Sequence, residues 1–455
     1  MTTWTHPSIR TLLDEVPDSS PFETIAERAR QRTLEALEQG WRGPPYDPFE
    51  LADLLGVDVV ARQNVDDARL VSTEPESKPR IEFNPNRRAD RVRFSVAHEL
   101  AHMLFSDHGD QVRYRDEAHH VGRSDDWQLE VLCNVAAAEF LMPVGAFAPA
   151  RASDLSLPHL LDLRSVFRVS TEALLRRVVK LTSEPVSVFA AARVVDTEDF
   201  RIDYVVRSRA AKAGLLKTKR LPADSVLAEC RAVGASASRT EDWDDEHVFA
   251  QVVAVPPYPG YRFPRVVGLV QPADSAVPPV EGIQLQRGDA TRPGGSGAQI
   301  ITHLVNDRAR SWGPHGFAAA LRAAFPEVEI EYSEWALDPQ QRQLGEVHIS
   351  SAGANKWVAS LVVQSGYGER ADGQSRLRLA ALERCLAQLA RLAADLNASV
   401  HMPPIGTGQA ATPWRYVRDL ILEELVDRGI SVTVYVLPEA SMPQEEISHD
   451  QLVLL

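Results

Sequence analysis

Apolar residues recur at helical spacing through the first 45 positions, at Phe22, Ile25 and Ala29 and again at Leu34 and Leu37. Gly43-Pro44-Pro45 interrupts that pattern, and Pro48 to Leu55 resumes it as a short helix. Val57–Ala61 and Pro79–Pro85 read as short strands, the second alternating at Ile81 and Phe83. Arg91–Phe105 and Asp126–Pro143 follow as two longer helical stretches, the second stopped by its proline. Leu160–Phe167 and Thr171–Leu181 read as helix, turn, helix. From Pro185 the period shortens to that of strands, at 186–190, 202–206, 248–255 and 266–270. After a proline-containing linker at 272–279, strands and helices alternate from 281 onward, the order of an α/β sheet. The pattern predicts an α+β domain at 1–183, a β-rich linking or sensory domain at 184–275, an α/β domain at 281–438 and a tail at 439–455.

Composition narrows the class. The 455 residues are 44% hydrophobic and 25% charged, ordinary soluble globular material. A net charge of −14 argues against general binding to nucleic acid through phosphates. The three cysteines, Cys133, Cys230 and Cys385, are far apart and form no C-x-x-C pair, so neither a disulfide framework nor a cysteine zinc site is expected. The start of the chain lacks the pattern of a signal peptide, and no apolar run has the length of a membrane span. The expectation is a cytoplasmic protein.

The helix at 91–105 contains His98-Glu99-Leu100-Ala101-His102, the pattern H-E-x-x-H. Four residues apart on a helix, His98 and His102 share one face and can grip one Zn2+. Glu99 lies beside them and can take the proton of a water attacking a carbonyl. Phe94, Ala97, Ala101 and Leu104 are expected to bury the other side. Catalytic zinc takes a third protein ligand, and two residues compete for that place. His108 falls where a third histidine follows H-E-x-x-H-x-x-G-x-x-H, but Phe105 stands where that pattern needs a glycine. Glu130, on the following helix, is the alternative.

These residues, with Glu130-Val-Leu-Cys-Asn134 and Leu141-Met-Pro143 in order behind them, resemble the ImmA/IrrE family of zinc metallopeptidases over the first 180 or so positions. The resemblance implies a zincin-like α+β domain, with His98, His102 and Glu130 as zinc ligands and Glu99 as the base. It also implies a protein substrate: a helix-turn-helix repressor cut after stress, or a component of phage defence or mobile elements. Ile81–Asn84 is offered as an edge strand for pairing with extended substrate. The polar stretch 107–126, with His108, His119 and His120, is offered as a loop over the cleft. Arg176, Arg177 and Lys180 on the last helix suit either DNA phosphates or a plain scaffold, and the acidic total favours scaffold.

The C-terminal segments carry a second constellation. Gly288-Asp289, Val305-Asn306-Asp307, Gly313 to Ala318, and Met402-Pro-Pro-Ile-Gly-Thr-Gly408 with Trp414 resemble a macro domain, close to the type that handles terminal ADP-ribose on proteins. That implies a three-layer α/β/α fold with ADP-ribose as ligand. Asp289 would contact adenine, and Asn306 and Asp307 the distal ribose. Gly313, His315, Gly316 and Phe317 would cradle the diphosphate with Gly406, Thr407, Gly408 and Gln409. The stretch after Gly408 is Gln409-Ala-Ala-Thr412, without a carboxylate, and Lys356 is the only lysine of the domain, so binding is better supported than hydrolysis. The reading is a zinc endopeptidase with an ADP-ribose-binding domain that regulates or directs it. The rivals are an ADP-ribose reader or hydrolase on a peptidase scaffold, and a DNA-bound regulator.

Overall fold

The computed structural model describes residues 4–16, 20–71, 78–107, 113–114, 125–143, 155–182, 184–194, 199–211, 220–243, 246–257, 263–273, 283–295, 297–366, 375–407 and 412–437. The chain divides into two compact units. One holds 1–29, 42–142 and 147–280; the other holds 30–41, 143–146 and 281–455.

In the first unit, helices α1 (Pro7–Glu15), α2 (Pro21–Glu38, which begins here) and α3 (Pro48–Leu54) precede strands β1 (Asp58–Ala61), β2 (Ala68–Val71) and β3 (Arg80–Phe83). α1 and α3 each carry proline in the first turn, where the missing N–H costs nothing, and Asp47 caps α3 by accepting from Phe49 N. Helix α4 (Ala89–His102) follows, then β4 (Arg113–Tyr114) and α5 (Asp126–Leu141). The sheet order is β1-β3-β2-β4, with β3 parallel to β1 and antiparallel to β2. β3 is therefore paired on both sides. The expectation that Ile81–Asn84 forms a free edge for substrate is corrected: Ile81 and Glu82 are both buried there, and Glu82 is ion-paired with Arg69.

Helices α6 (Leu157–Phe167) and α7 (Thr171–Leu181) lead into a six-stranded sheet. Its strands are β5 (Ser187–Arg193), β6 (Phe200–Arg207), β7 (Arg220–Leu221), β8 (Ser236–Trp243), β9 (Glu246–Val255) and β10 (Arg265–Pro272), in the order β7-β6-β5-β10-β9-β8, all neighbours antiparallel. Phe189, Trp243, Val248, Val252 and Val266 build its core. Two of the three basic side chains of α7 are engaged within the fold, and the third, Lys180, is exposed. Arg177 pairs with buried Glu139 and donates to Met142 O, and Arg176 lies over the Tyr204 ring at 5.2 Å. This supports the scaffold reading of that helix pair.

The second unit has the sheet β11 (Gln284–Arg287), β12 (Ala298–Asn306), β13 (Val347–Ser351), β14 (Lys356–Gln364), β15 (Ala398–Met402) and β16 (Val432–Val436). The order is β11-β16-β15-β12-β14-β13, parallel except for the edge strand β13. Helices α8 (Gly316–Ala324), α9 (Pro326–Trp335), α10 (Leu379–Asp395) and α11 (Trp414–Glu424) connect the strands, which gives the expected α/β fold. β12 lies at the switch point: the chain leaves it for β13 and β14 on one side and then returns for β15 on the other. Such points open a crevice at the strands' carboxyl ends. Among the described residues no helix is long and apolar enough to cross a membrane.

Candidate metal centre and ligand-binding loops

α4 and α5 pack against each other, and five side chains meet between them. His98 and His102 sit one turn apart on α4, both fully buried. Their Nε2 atoms are 3.3 Å apart. Glu130, half-buried on α5, brings Oε2 to 2.9 Å from His98 Nε2 and Oε1 to 3.6 Å from His102 Nε2. A tetrahedral zinc with bonds of 2.0–2.1 Å needs donor atoms about 3.3 Å apart, so these three fit one ion.

The other ring nitrogens have partners of their own, again from α5. His98 Nδ1 lies 3.1 Å from Asn134 Oδ1, and His102 Nδ1 lies 3.4 Å from Cys133 Sγ. With its Nδ1–H donated to Asn134, His98 presents a bare Nε2, the atom facing Glu130. Positions 130, 133 and 134 are i, i+3 and i+4, one face of one helix. Cys133 is the residue that sequence reasoning missed. Its sulfur groups with His98 and His102 as a second set of donors that can hold a metal. Cys133 faces His102 Nδ1, whereas Glu130 faces Nε2 of both rings. The Glu130 set leaves each imidazole with a separate partner on its far side.

Glu99 is buried beside the pair, and its Oε2 accepts a hydrogen bond from Leu70 N of β2 at 2.8 Å. A strand thus holds the carboxylate that follows His98. Phe94 is not on the opposite face as expected: it is only half-buried, and its ring lies 6.2 Å from His98, its i+4 neighbour. Ala97 and Ala101 are buried as expected, with Val92, Val96 and Leu100. Leu104 is half-buried. Phe105 is buried after a turn in which residues 103–105 bond back three residues. His108, His119 and His120 lie outside the described residues.

In the second unit, every predicted ligand residue that is described lies at the carboxyl ends of the parallel strands. Asp289 is exposed just beyond β11, and its Oδ1 accepts from Thr291 N at 2.9 Å. Asn306 ends β12 and accepts from Arg308 N at 2.9 Å; Asp307 accepts from Gly366 N at 2.8 Å and so ties the β12 end to the β14 end. Gly313, His315 and Gly316 form an exposed turn into α8, with Gly316 at φ +62. Phe317 is different: its ring packs on the core of Ile301, Val305 and Leu321, so its side chain supports the turn from within. Gly406 has φ +78, and a Cβ there would lie 3.0 Å from Leu377 Cδ2. Thr407 donates its hydroxyl to Pro404 O at 2.8 Å. Gly408 and Gln409 lie outside the described residues. Lys356 opens β14, so eight residues of strand, about 26 Å, separate it from the ligand loops. It is not placed to act on a ribose there.

A buried two-helix donor set and a parallel sheet with turns at one end define a chain of two chemical modules. The comparisons with known proteins give each a family. Residues 52–179 match the family model of the IrrE N-terminal-like domain, and residues 303–421 match that of the Macro domain; the chain carries one of each. A segment of 160 residues is 31% identical to mouse (Mus musculus) chromodomain-helicase-DNA-binding protein 1-like, covering 34% of this chain. The chain spans only 17% of that curated relative's length. A solved structure of a macrodomain protein from Streptomyces coelicolor is 36% identical, covering 34% of this chain and 98% of that one, with a TM-score of 0.30. A Bacteroides thetaiotaomicron protein of unknown function is 37% identical over 34% of this chain and 96% of its own, with a TM-score of 0.32.

Proposed function

We propose that the protein is a zinc-dependent endopeptidase whose macro domain binds ADP-ribose, free or attached to a macromolecule, and so regulates or directs the proteolysis. The observation that carries this is the convergence of His98 Nε2, His102 Nε2 and Glu130 on one point at zinc-ligand spacing. A zinc ion held by these three would supply Lewis acidity toward a water and a peptide carbonyl. His98 is oriented by Asn134, and Glu130 supplies the negative charge that balances the cation. Glu99 takes the proton of the attacking water at its carboxylate and passes it to the leaving amine. The substrate is a protein, a helix-turn-helix repressor or a defence component by family likeness. The three cysteines are buried and not joined in disulfides, which suits the reducing interior of a cell, and we place the protein in the cytoplasm.

For the macro domain the support is its family match and the gathering of Asp289, Asn306, Gly313, Gly316 and Gly406 at one end of the sheet. Binding, and not hydrolysis, is proposed. The Asp307 carboxylate already receives Gly366 N, and Lys356 is at the far end.

The test is Glu99→Gln in the full chain. It is expected to retain one zinc per chain by metal analysis and to bind ADP-ribose as the parent does. New N-termini that the parent generates in a proteome digest should be missing. If Glu99→Gln generates the same new N-termini, the peptidase reading fails. The rival, an ADP-ribose reader on a peptidase scaffold, then stands, provided ADP-ribose binds.

A further inference from the structure

The described residues of the macro unit contain a buried hydrogen-bond network that the proposed function does not use. It centres on Trp312, the residue just before the exposed Gly313–Gly316 turn. Trp312 is 1% exposed, and all three of its polar groups are engaged. Its backbone N–H donates to Glu329 Oε1 of α9 at 3.3 Å. Its carbonyl accepts from Arg322 of α8. Its indole Nε1–H donates to Ser360 Oγ of β14 at 3.2 Å. Ser360 Oγ is in turn 2.7 Å from His303 Nε2 on β12, and the His303 ring meets the Trp312 ring edge to face at 4.8 Å.

The direction of the chain follows from donor inventory. Indole N–H can only donate, so Ser360 accepts from it and has its own proton left for His303 Nε2. That requires a neutral imidazole. Burial, with a smaller contribution from His348, pushes His303 down to about 3, so it stays neutral over the working range. The residues before Trp312 are tied in the same way. Tyr332 Oη donates to Ala309 O at 3.1 Å, and Arg342 Nε donates to Asp307 O at 2.9 Å. Residues 307–312 are therefore fastened to three elements, whereas 313–316 project into solvent.

We infer that Trp312 is a positioning residue for ADP-ribose, held by Ser360 and Glu329 so that the 313–316 turn presents its backbone N–H groups to the diphosphate before the ligand arrives. A turn fixed in advance loses little freedom on binding, and that saving appears as affinity. Trp312 itself is buried and touches no ligand. The inference rests on the proposed ADP-ribose site.

The experiment compares binding of ADP-ribose, ADP and adenosine by full-length parent, Trp312→Phe, Ser360→Ala, Glu329→Ala and Glu329→Gln. Trp312→Phe keeps a ring and removes the N–H. Ser360→Ala breaks the same contact from the other side, should the first variant not fold. Affinity for ADP-ribose and ADP should fall about tenfold, the weight of one good hydrogen bond. Adenosine, which lacks the diphosphate, should bind as before. Glu329→Gln keeps an acceptor for Trp312 N and should restore what Glu329→Ala loses. Unchanged ADP-ribose affinity in the variants overturns the inference and leaves the ADP-ribose reading intact. An equal loss for adenosine also overturns it, because the network then only holds the fold. If the parent binds no ADP-ribose, the reading and the inference fall together.

Discussion

Asn134 shows how much of the proposed metal centre depends on a residue that need not touch the ion. Its Oδ1 fixes which nitrogen His98 presents to Glu130. Partners of this kind typically change metal affinity by about 10–100-fold. Asn134→Ala is therefore expected to lose zinc to a competing chelator at roughly that lower concentration, with the far-ultraviolet spectrum unchanged. Parent-like retention would show that the contact is incidental. At this scale the sequence was informative where spacing alone decides position. Helical periodicity fixes His98 against His102 and Glu130 against Asn134, whereas the expectation that the two pairs meet came from the family resemblance. Cys133 and Leu70 were not legible. The first reaches His102 only because of the angle at which α5 crosses α4. The second donates to Glu99 from a strand 29 positions earlier. Phe317 shows a different limit: its place in a motif suggested a ligand contact, and the sequence did not show that its side chain is partly buried against the core.

Secondary structure was readable where burial left a periodic mark. β5, β6, β9 and β10 are apolar runs, and the structure has strands there. β8 escaped notice because Ser236-Ala-Ser-Arg-Thr-Glu-Asp242 is an edge strand with few apolar residues before Trp243. β3 was misplaced for a related reason. Arg80 and Glu82 look like the polar residues of an open edge, yet Glu82 is buried against Arg69 between two partners. Within the six-stranded antiparallel sheet one position has no spare room. A Cβ at Gly268 of β10 would lie 2.6 Å from Gln251 O and 2.8 Å from Val252 Cγ1. The obstacle is backbone, which cannot step aside without breaking the β9–β10 pairing. Gly268→Ala should cost about 1–3 kcal/mol, the usual range for overpacking, as read by a lower denaturant midpoint. A midpoint equal to the parent's would show that the sheet can yield there.

At the level of the whole chain, two compact units imply two separately addressable stabilities. Zinc should raise protection from hydrogen exchange in α4 and α5, and ADP-ribose in the 313–316 turn and the start of α8. Titrating ADP-ribose during proteolysis then asks whether the two sites share an equilibrium; an unchanged cleavage rate and selectivity would leave two independent modules. Acid should weaken the macro unit by a route of its own. Burial holds His303 near 3 and His401 near 4, below the ordinary 6.5. Unfolded, both rings would take protons that the folded unit refuses. Their contribution is thus complete above about pH 6.5 and drains away as pH falls toward 4. The macro unit's melting temperature should drop through that window, and less so in His303→Asn. An equal drop in parent and variant would remove His303 from the account. The α/β order of this unit was visible in the sequence because the inner strands β12, β14, β15 and β16 are short, largely apolar runs, whereas the edge strand β13, with few apolar residues, was not. Which end of the sheet received Lys356 was not visible, since that depends on strand direction.

Three of the five side chains at the proposed metal centre, Glu130, Cys133 and Asn134, come from a single face of α5. A roll of that helix by one residue, about 100°, would carry all three away together. Displacement of that helix therefore gives the centre no graded way to fail. Crowding the α5 core at Ala136 or Ala137, neither of which is among the donors, should empty it as completely as deleting a donor. Tolerance to mutation here is governed by the seat of one cylinder, and partial occupancy in such variants should reflect a mixture of competent and wholly incompetent molecules.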